Sequence, residues 1–555
     1  MNNRIKTSLL YVSSIIVYGI FIVFFTSTSH VGFDEELYVS LARSFHYEGQ
    51  FAYGNQLLNY SCVLYSMLIS LAYFIYSPET ILFFMRMIGV VTMCSAVFPI
   101  YLLARDILKD DKKAFWLSAF MLMMPYMLDC AYLMQEVLSY PLFMWTLYFL
   151  YRAQDSERKK FVILAAIFSV LCIFTKTYML FIPICLNLCS FYYYGTKINR
   201  SKDFVVNVVI YDLIYVIFFA GAYWAIWAIN GFHVGSNHYS GQISNLFPVG
   251  LDTLVFGGIG FIIYAAFLII NMGLIPVGAV LYEWRHGNEK FWLKDFVIIS
   301  IPFLILEIVF MIFLTEEGVG TLPHKFYFRY FQIFVPPILI FFMKLNSIDI
   351  WTGFRKCIFL LEASLGTAAC YFVVLQGKTR QAIIDGHLFL LAENLARYFL
   401  PYIDALIMAL LMIGILCLRK KQKMLEESLK IGIVGVLILW IVVAIELPYY
   451  NNVIVNGRQI QQDSIKIAEY LNKETYENVY YVYEKQEGKN RYLRNFYGYI
   501  RQSYDVISET EIDALIDGKQ RTALLCPSDL SMRKNGFQLV DLNNEELFLY
   551  VSEYE

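Results

Sequence analysis

Apolar runs of 15 to 30 residues recur along most of this chain, and no water-soluble core of this size could bury them all. Hydropathy places spans at 8–26, 80–104, 114–128, 137–151, 161–175, 178–195, 204–229, 252–282, 296–314, 330–343, 357–375, 400–418 and 431–447. Several fall short of the roughly 20 residues that a bilayer asks for, so their ends extend beyond the apolar windows. Composition closes the argument. Of 555 residues, 58% are hydrophobic and only 16% charged, too little charge for a water-facing surface. The expectation is a polytopic α-helical membrane protein with about 13 transmembrane helices. The first run has a basic flank, Arg4 and Lys6, with no small-residue cleavage site behind it, and reads as a retained span.

Lys and Arg should gather in short cytoplasmic loops. They do so at Arg105/Lys109/Lys112/Lys113, Arg152/Arg158/Lys159/Lys160, Lys197/Arg200/Lys202, Arg285/Lys290/Lys294, Lys344/Arg355/Lys356 and Arg419/Lys420/Lys421/Lys423. That pattern puts the N-terminus in the cytoplasm and the C-terminus outside. It also decides the apolar segment 61–76, which as a full span would invert every later loop. We read 61–76 as a helix lying at the outer surface or dipping into it. The net charge of −2, with no Lys/Arg stripe, excludes a nucleic-acid partner. The ten Cys are scattered, mostly in apolar runs, with no CxxC, and read as buried small hydrophobes.

Two domains follow. Residues 1–447 form the membrane module, with a long first outer loop at 27–79. From about Pro448 the pattern switches to period 2 in Val479–Tyr483, Thr522–Cys526 and Leu547–Val551, with helix-like pieces at Asp463–Leu471 and Glu509–Ile516. Residues 448–555 are thus a small extracytoplasmic α/β domain. Its glycines Gly488 and Gly498 are isolated, so it has no phosphate loop, and it reads as a lid or docking module.

Charge on the outer side is sparse and therefore informative. Asp34, Glu35 and Glu36 stand just after the first span and open a helix with apolar Leu37, Leu41 and Phe45, ending near Gly49. Asp34 suits an N-cap, and the other two suit the helix dipole. A cap also fixes where a carboxylate points, so capping and catalysis are compatible. Glu136 opens the fourth span, where a carboxylate is costly unless it faces a polar cavity. Glu307, Glu362 and Glu446 read as structural, partner-bonded carboxylates. His324, Lys325 and Arg329 lie among aromatics before Pro336-Pro337, and Lys176 stands between spans five and six. Such cations are either snorkelling members of an aromatic belt or phosphate ligands. Together these carboxylates and cations would compose a cavity suited to glycosyl transfer from a lipid-linked phosphosugar. A carboxylate takes the acceptor proton there, and cations hold the leaving phosphate.

At these residues the sequence resembles the GT-C glycosyltransferases, in particular the branch of the protein O-mannosyltransferases and the aminoarabinose transferases of lipid A. Asp34-Glu35, Tyr38 and Ala42 match its acidic first-loop motif. Arg86 and Tyr101-Leu102-Leu103-Ala104-Arg105 match its second span, and Pro125 and Glu136 match the acidic opening of its fourth. Phe174-Thr175-Lys176 and Arg329-Tyr330 with Pro336-Pro337 complete the series. The His-Pro-Pro element of the first loop is missing, since 57–65 reads Leu-Leu-Asn-Tyr-Ser-Cys-Val-Leu-Tyr. No Trp-Trp-Asp signature of oligosaccharyltransferases is present.

The resemblance implies an inverting enzyme with a polyprenyl-phosphate sugar donor and an extracytoplasmic acceptor (protein, lipid or cell-wall glycan). Asp34 would be the base, with Glu35 and Glu136 beside it. Arg329, Lys325, His324 and Lys176 would hold the donor phosphate, and Tyr38 and Tyr330 would line the substrate. A divalent metal is compatible with these carboxylates, but they are no metal signature and no metal ligand is assigned. Two other classes stay open: a transporter or flippase, and a non-catalytic cell-envelope assembly protein. Paired half-repeats would favour the transporter, and none is visible.

Overall fold

The computed structural model describes residues 3–26, 33–54, 56–58, 60–75, 77–155, 159–196, 201–231, 250–272, 276–278, 280–281, 284, 292–310, 325–344, 383–384, 462–474, 476–483, 499–502, 504–508, 512, 521–526, 537–544 and 547–552. The spans expected at 357–375, 400–418 and 431–447 lie outside these residues, as do Glu362, Glu446, Gly488, Gly498 and the boundary at 448. The helix expected over Glu509–Ile516 also lies outside them, apart from Ile512.

The order begins with helix α1 (Asn3–Thr26), α2 (Phe33–Glu48), a short hairpin of β1 (Ala52–Tyr53) and β2 (Gln56–Leu57), and α3 (Leu64–Ile69). A 3-10 segment, Ser70–Ile75, extends α3. Then come α4 (Ile81–Cys94), α5 (Val97–Leu108), α6 (Asp111–Met123), α7 (Glu136–Asp155), α8 (Lys160–Thr175), α9 (Phe181–Thr196) and α10 (Ser201–Ile229). Helices Leu251–Met272, Trp292–Ile308 and Val335–Lys344 follow.

Local chemistry sets these boundaries. α2 carries three acids in its first turn, complementing its dipole. It stops at Gly49, whose φ of +68° is cheap only for glycine. Helix α6 starts at Asp110, whose carboxylate accepts the amide hydrogens of Lys112 and Lys113 at 2.9 and 3.0 Å. The run expected as one span at 80–104 bends at Ser95–Ala96 into α4 and α5, and together they make an apolar stretch of 28 residues.

Among the described residues, four helices are long and apolar enough to cross a membrane: Ile5–Val23, Ile81–Leu108, Val205–Ile229 and Leu251–Ile269. Leu64–Ile75, Lys160–Thr175, Thr177–Tyr192 and Gln332–Lys344 are shorter apolar helices. Leu71, Phe74 and Ile75 are exposed at the end of the segment read as a surface helix. Cys62, Cys94, Cys130, Cys172, Cys185, Cys189 and Cys526 are buried and free, as small hydrophobes should be.

Further along, β3 (Lys325–Phe326) pairs in parallel with β4 (Ile383–Ile384). The last region is a five-stranded sheet in the order β6-β5-β7-β9-β8. Its strands are β5 (Asn478–Tyr483), β6 (Asp505–Ser508), β7 (Thr522–Cys526), β8 (Phe537–Leu539) and β9 (Phe548–Ser552). β5 runs parallel to β6 and β7, while β9 is antiparallel to β7 and β8. Strand pleat divides its side chains between two faces. Leu525 and Tyr481 join the large core that also holds Ile467 and Leu471 of helix 462–473, whereas Leu524 and Val482 form a separate small cluster.

That large core is continuous with the helical module. The guanidinium of Arg43 on α2, fully buried, donates from Nη1 to the Arg501 carbonyl at 3.0 Å. Asn472 holds the same segment, donating to the Tyr499 carbonyl at 3.1 Å and accepting from the Arg501 amide at 2.9 Å. Gly54, at φ +59°, turns so close to the Tyr504 carbonyl that a Cβ would stand 3.0 Å from it. Through these contacts the α/β region lies directly against α2.

Candidate active site

Three consecutive acids on a helix diverge by about 100° each, and α2 uses that divergence to send them to three places. Glu36 is buried and accepts the Tyr53 hydroxyl at 2.6 Å, tying α2 to the β1–β2 hairpin. Glu35 is buried and accepts the amide hydrogen of Leu133, with the buried Arg86 guanidinium of α4 as its electrostatic neighbour. Asp34 is the exposed one, its side chain 48% accessible. Because α2 begins at Phe33, Asp34 sits in the first turn and not at the cap position expected from the sequence.

Glu136 opens α7 and is 1% exposed. The preceding Gln135 fixes the approach, donating to the Cys62 carbonyl at 2.7 Å and to the Tyr60 hydroxyl at 3.2 Å. Lys176 ends α8 in an extended conformation (φ −153°, ψ 124°) that turns its chain into the 3-10 turn Thr177–Leu180. Arg329 lies in the 3-10 turn Phe328–Tyr330.

These four groups meet. Glu136 Oε1 lies 3.3 Å from Lys176 Nζ and 3.5 Å from Arg329 Nε, and Arg329 Nη2 lies 3.7 Å from Asp34 Oδ2. Two anions and two cations thus alternate as Lys176, Glu136, Arg329, Asp34. Lys176 and Arg329 are mostly covered, at 14% and 18% exposure. Burial is the largest single influence on Lys176 and opposes its charge, but the Glu136 carboxylate together with Tyr330, Tyr60 and Tyr178 outweighs it and holds the ammonium well above the usual lysine range. Tyrosines wall the cluster. Lys176 Nζ donates to the Tyr38 hydroxyl at 3.4 Å and stands 5.6 Å from the Tyr330 ring centre. Arg329 lies over Tyr327 at 4.6 Å and near Tyr330 at 5.4 Å, and Tyr178 packs on Tyr330.

Of the residues singled out in the sequence, Asp34, Glu136, Lys176, Arg329, Tyr38 and Tyr330 come together. Glu35 does not reach this cluster by any described contact. Its carboxylate is taken by the Leu133 amide, which ties α2 to the segment leading into Glu136. His324 lies outside the described residues, and Lys325 is described only as backbone in β3. Glu307 was expected to be partner-bonded, yet its Oε2 is buried without a hydrogen-bond partner. Sequence reasoning missed Tyr178, Tyr327 and Gln135. Their signal was adjacency to Lys176, Arg329 and Glu136, which aromatic-rich surroundings hide. Among the described residues no group of three or more His, Cys, Asp or Glu could hold a metal ion.

No protein-family model matches the chain, and no curated protein sequence matches it. Solved structures do. ArnT from Cupriavidus metallidurans bound to undecaprenyl phosphate superposes with a TM-score of 0.57 at 13% identity, covering 98% of this chain and 97% of that one. Its apo form gives 0.56 at 13% identity, with 99% and 98% covered. The Archaeoglobus fulgidus oligosaccharyltransferase with zinc and sulfate gives only 0.38 at 14% identity over 67% of this chain and 53% of that one, too low to bear on the fold. Over nearly its full length the chain shares the fold of ArnT.

Proposed function

We propose that this chain is an inverting, integral-membrane glycosyltransferase that moves a sugar from a polyprenyl-phosphate donor to an extracytoplasmic acceptor. The observation that carries this reading is the alternating cluster of Asp34, Arg329, Glu136 and Lys176. It sits in a fold whose full-length neighbour binds undecaprenyl phosphate.

The chemistry follows from what each group can do. Asp34, the exposed acid, accepts the proton from the acceptor hydroxyl as that oxygen attacks the anomeric carbon. The new carbon–oxygen bond forms on the face opposite the phosphate, and the sugar–phosphate bond breaks. Its electron pair leaves on the polyprenyl phosphate. Arg329 and Lys176 compensate the charge that develops there. Their present contacts to carboxylates, all longer than 3.2 Å, are loose enough to be exchanged for phosphate oxygens. Buried Glu136 keeps both cations in place between turnovers. By their place in the sequence Lys325 and His324 are further candidates for the donor phosphate, and Glu35 positions the segment before Glu136 without taking a proton.

In this reading the cluster faces outside, the basic loops face the cytoplasm, and the α/β region is extracytoplasmic. The decisive assay is transfer of a labelled sugar by the purified full chain from a panel of synthetic polyprenyl-phosphate hexoses and pentoses. Absence of both transfer and donor binding across the panel would sink the proposal. Orientation is checked by single cysteines introduced at Lys112 and at Asp252. An impermeant thiol reagent on intact cells should label only the latter.

A further inference from the structure

Gln332 is fully buried, and neither Oε1 nor Nε2 of its amide has a hydrogen-bond partner. Such a group is expensive to keep inside a protein, because it has given up water without replacement. Its place in the fold says what it waits for. The 3-10 turns Phe328–Tyr330 and Gln332–Phe334 join at Phe331, whose amide donates to the Phe328 carbonyl at 2.8 Å. Gln332 follows Arg329 by three residues and opens the next 3-10 turn of the same segment. Contacts on either side fix the level. Arg329 meets Glu136, and the Phe334 ring meets Phe143 at 5.7 Å, so the segment descends along the first two turns of α7. The hydroxyls on that stretch are already engaged: Ser139 donates to the Glu136 carbonyl, and Tyr140 pairs with Tyr126 at 3.0 Å.

We propose that Gln332 binds the hydroxyls of the sugar being transferred, and so contributes to sugar specificity; the inference rests on the donor class proposed above. Amide chemistry selects this occupant. A phosphate only accepts hydrogen bonds and would leave Oε1 unpaired. Sugar hydroxyls donate and accept, and can satisfy both amide atoms at once.

The test compares thermal shifts of the purified full chain with bare polyprenyl phosphate and with a panel of polyprenyl-phosphate hexoses and pentoses. Wild type should be stabilised by the bare lipid and further by at least one sugar-bearing lipid. Gln332→Met, and Gln332→Leu as a second apolar variant, should melt at or above wild type without ligand. Both should keep the bare-lipid shift and lose the sugar-dependent increment, with affinity for the sugar-bearing lipid falling about tenfold. Variants that retain the full increment would overturn the assignment. So would variants that melt lower without ligand, which would make the amide structural, or that lose the bare-lipid shift, which would make it a phosphate group. No shift in wild type with any lipid would instead remove the donor class itself, and the inference with it.

Discussion

Helix α7 carries a charged cluster at each end, and the two obey different rules. At its start, Glu136 sits with Lys176, Arg329 and Asp34, at 3.3, 3.5 and 3.7 Å between successive members. Near its end, some 24 Å away at 1.5 Å per residue, Arg152 meets Asp106 at 3.1 Å, and Arg105 reaches the same carboxylate at 2.9 Å. The Asp106 cluster is tight and hydrogen-bonded, its carboxylate covered at 11% exposure but its cations more open, with Arg152 34% and Arg105 28% exposed. The Glu136 cluster is loose and walled by tyrosine rings. Charges held in long contacts of 3.3 to 3.7 Å, three of the four mostly covered, gain little beyond mutual compensation, whereas shorter, better-hydrated pairs are ordinary surface stabilisation. Of these two clusters, it is the loose one that exchanges partners in the proposed reaction.

Substitutions can break this contrast, and their effects should fall in a definite order. Asp34→Asn keeps the size and the exposed first-turn position but cannot take a proton. Transfer should fall by about 10²–10⁴-fold at normal folding and membrane level. Full activity would remove Asp34 as the base. Glu136→Gln leaves two mostly covered cations without their carboxylate and should destabilise the protein by about 3–5 kcal/mol in thermal or denaturant melts. Polyprenyl phosphate should restore part of that loss, since it supplies the missing negative charge.

Arg329→Ala should weaken donor binding and slow turnover together, by about 1.5–3 kcal/mol for a charged hydrogen bond. Unchanged donor affinity would reduce Arg329 to a member of an aromatic belt. Asp106→Asn is the control at the other end of α7. Its partners remain partly hydrated, so melts should shift by about 1 kcal/mol or less, with transfer rate unchanged. A large activity loss there would erase the distinction between the two clusters.

Much of the helical layout was legible in the sequence because apolar length is a local property. α1, α6–α10 and the helix of Val335–Lys344 fall close to the hydropathy windows. The bend between α4 and α5 is invisible to hydropathy, because both halves are equally apolar, but Pro99 marks it: it has no amide hydrogen for the Ser95 carbonyl, and its ring crowds that carbonyl. β5, β7 and β9 followed from period 2, but the strand order β6-β5-β7-β9-β8 did not, since alternation says which residues share a face and not which strands are neighbours. Arg43 gave no sign of reaching Arg501, a contact that spans 458 positions of sequence.

The residue types available for chemistry were set by the sequence alone. An apolar chain keeps few charges, so Asp34, Glu136, Lys176 and Arg329 stood out against their surroundings. Tertiary structure decided which charges meet. Asp34, Glu35 and Glu36 are indistinguishable as a run of acids, yet helical divergence sends one to Arg329, one to the Leu133 amide and one to Tyr53. The pairing of Glu136 with Lys176 and Arg329 likewise depends on where α8 ends and where the 3-10 turn of Arg329 lies along α7. Burial and distance, which turn a charge into a base, a counter-ion or a tie, exist only once the helices have packed.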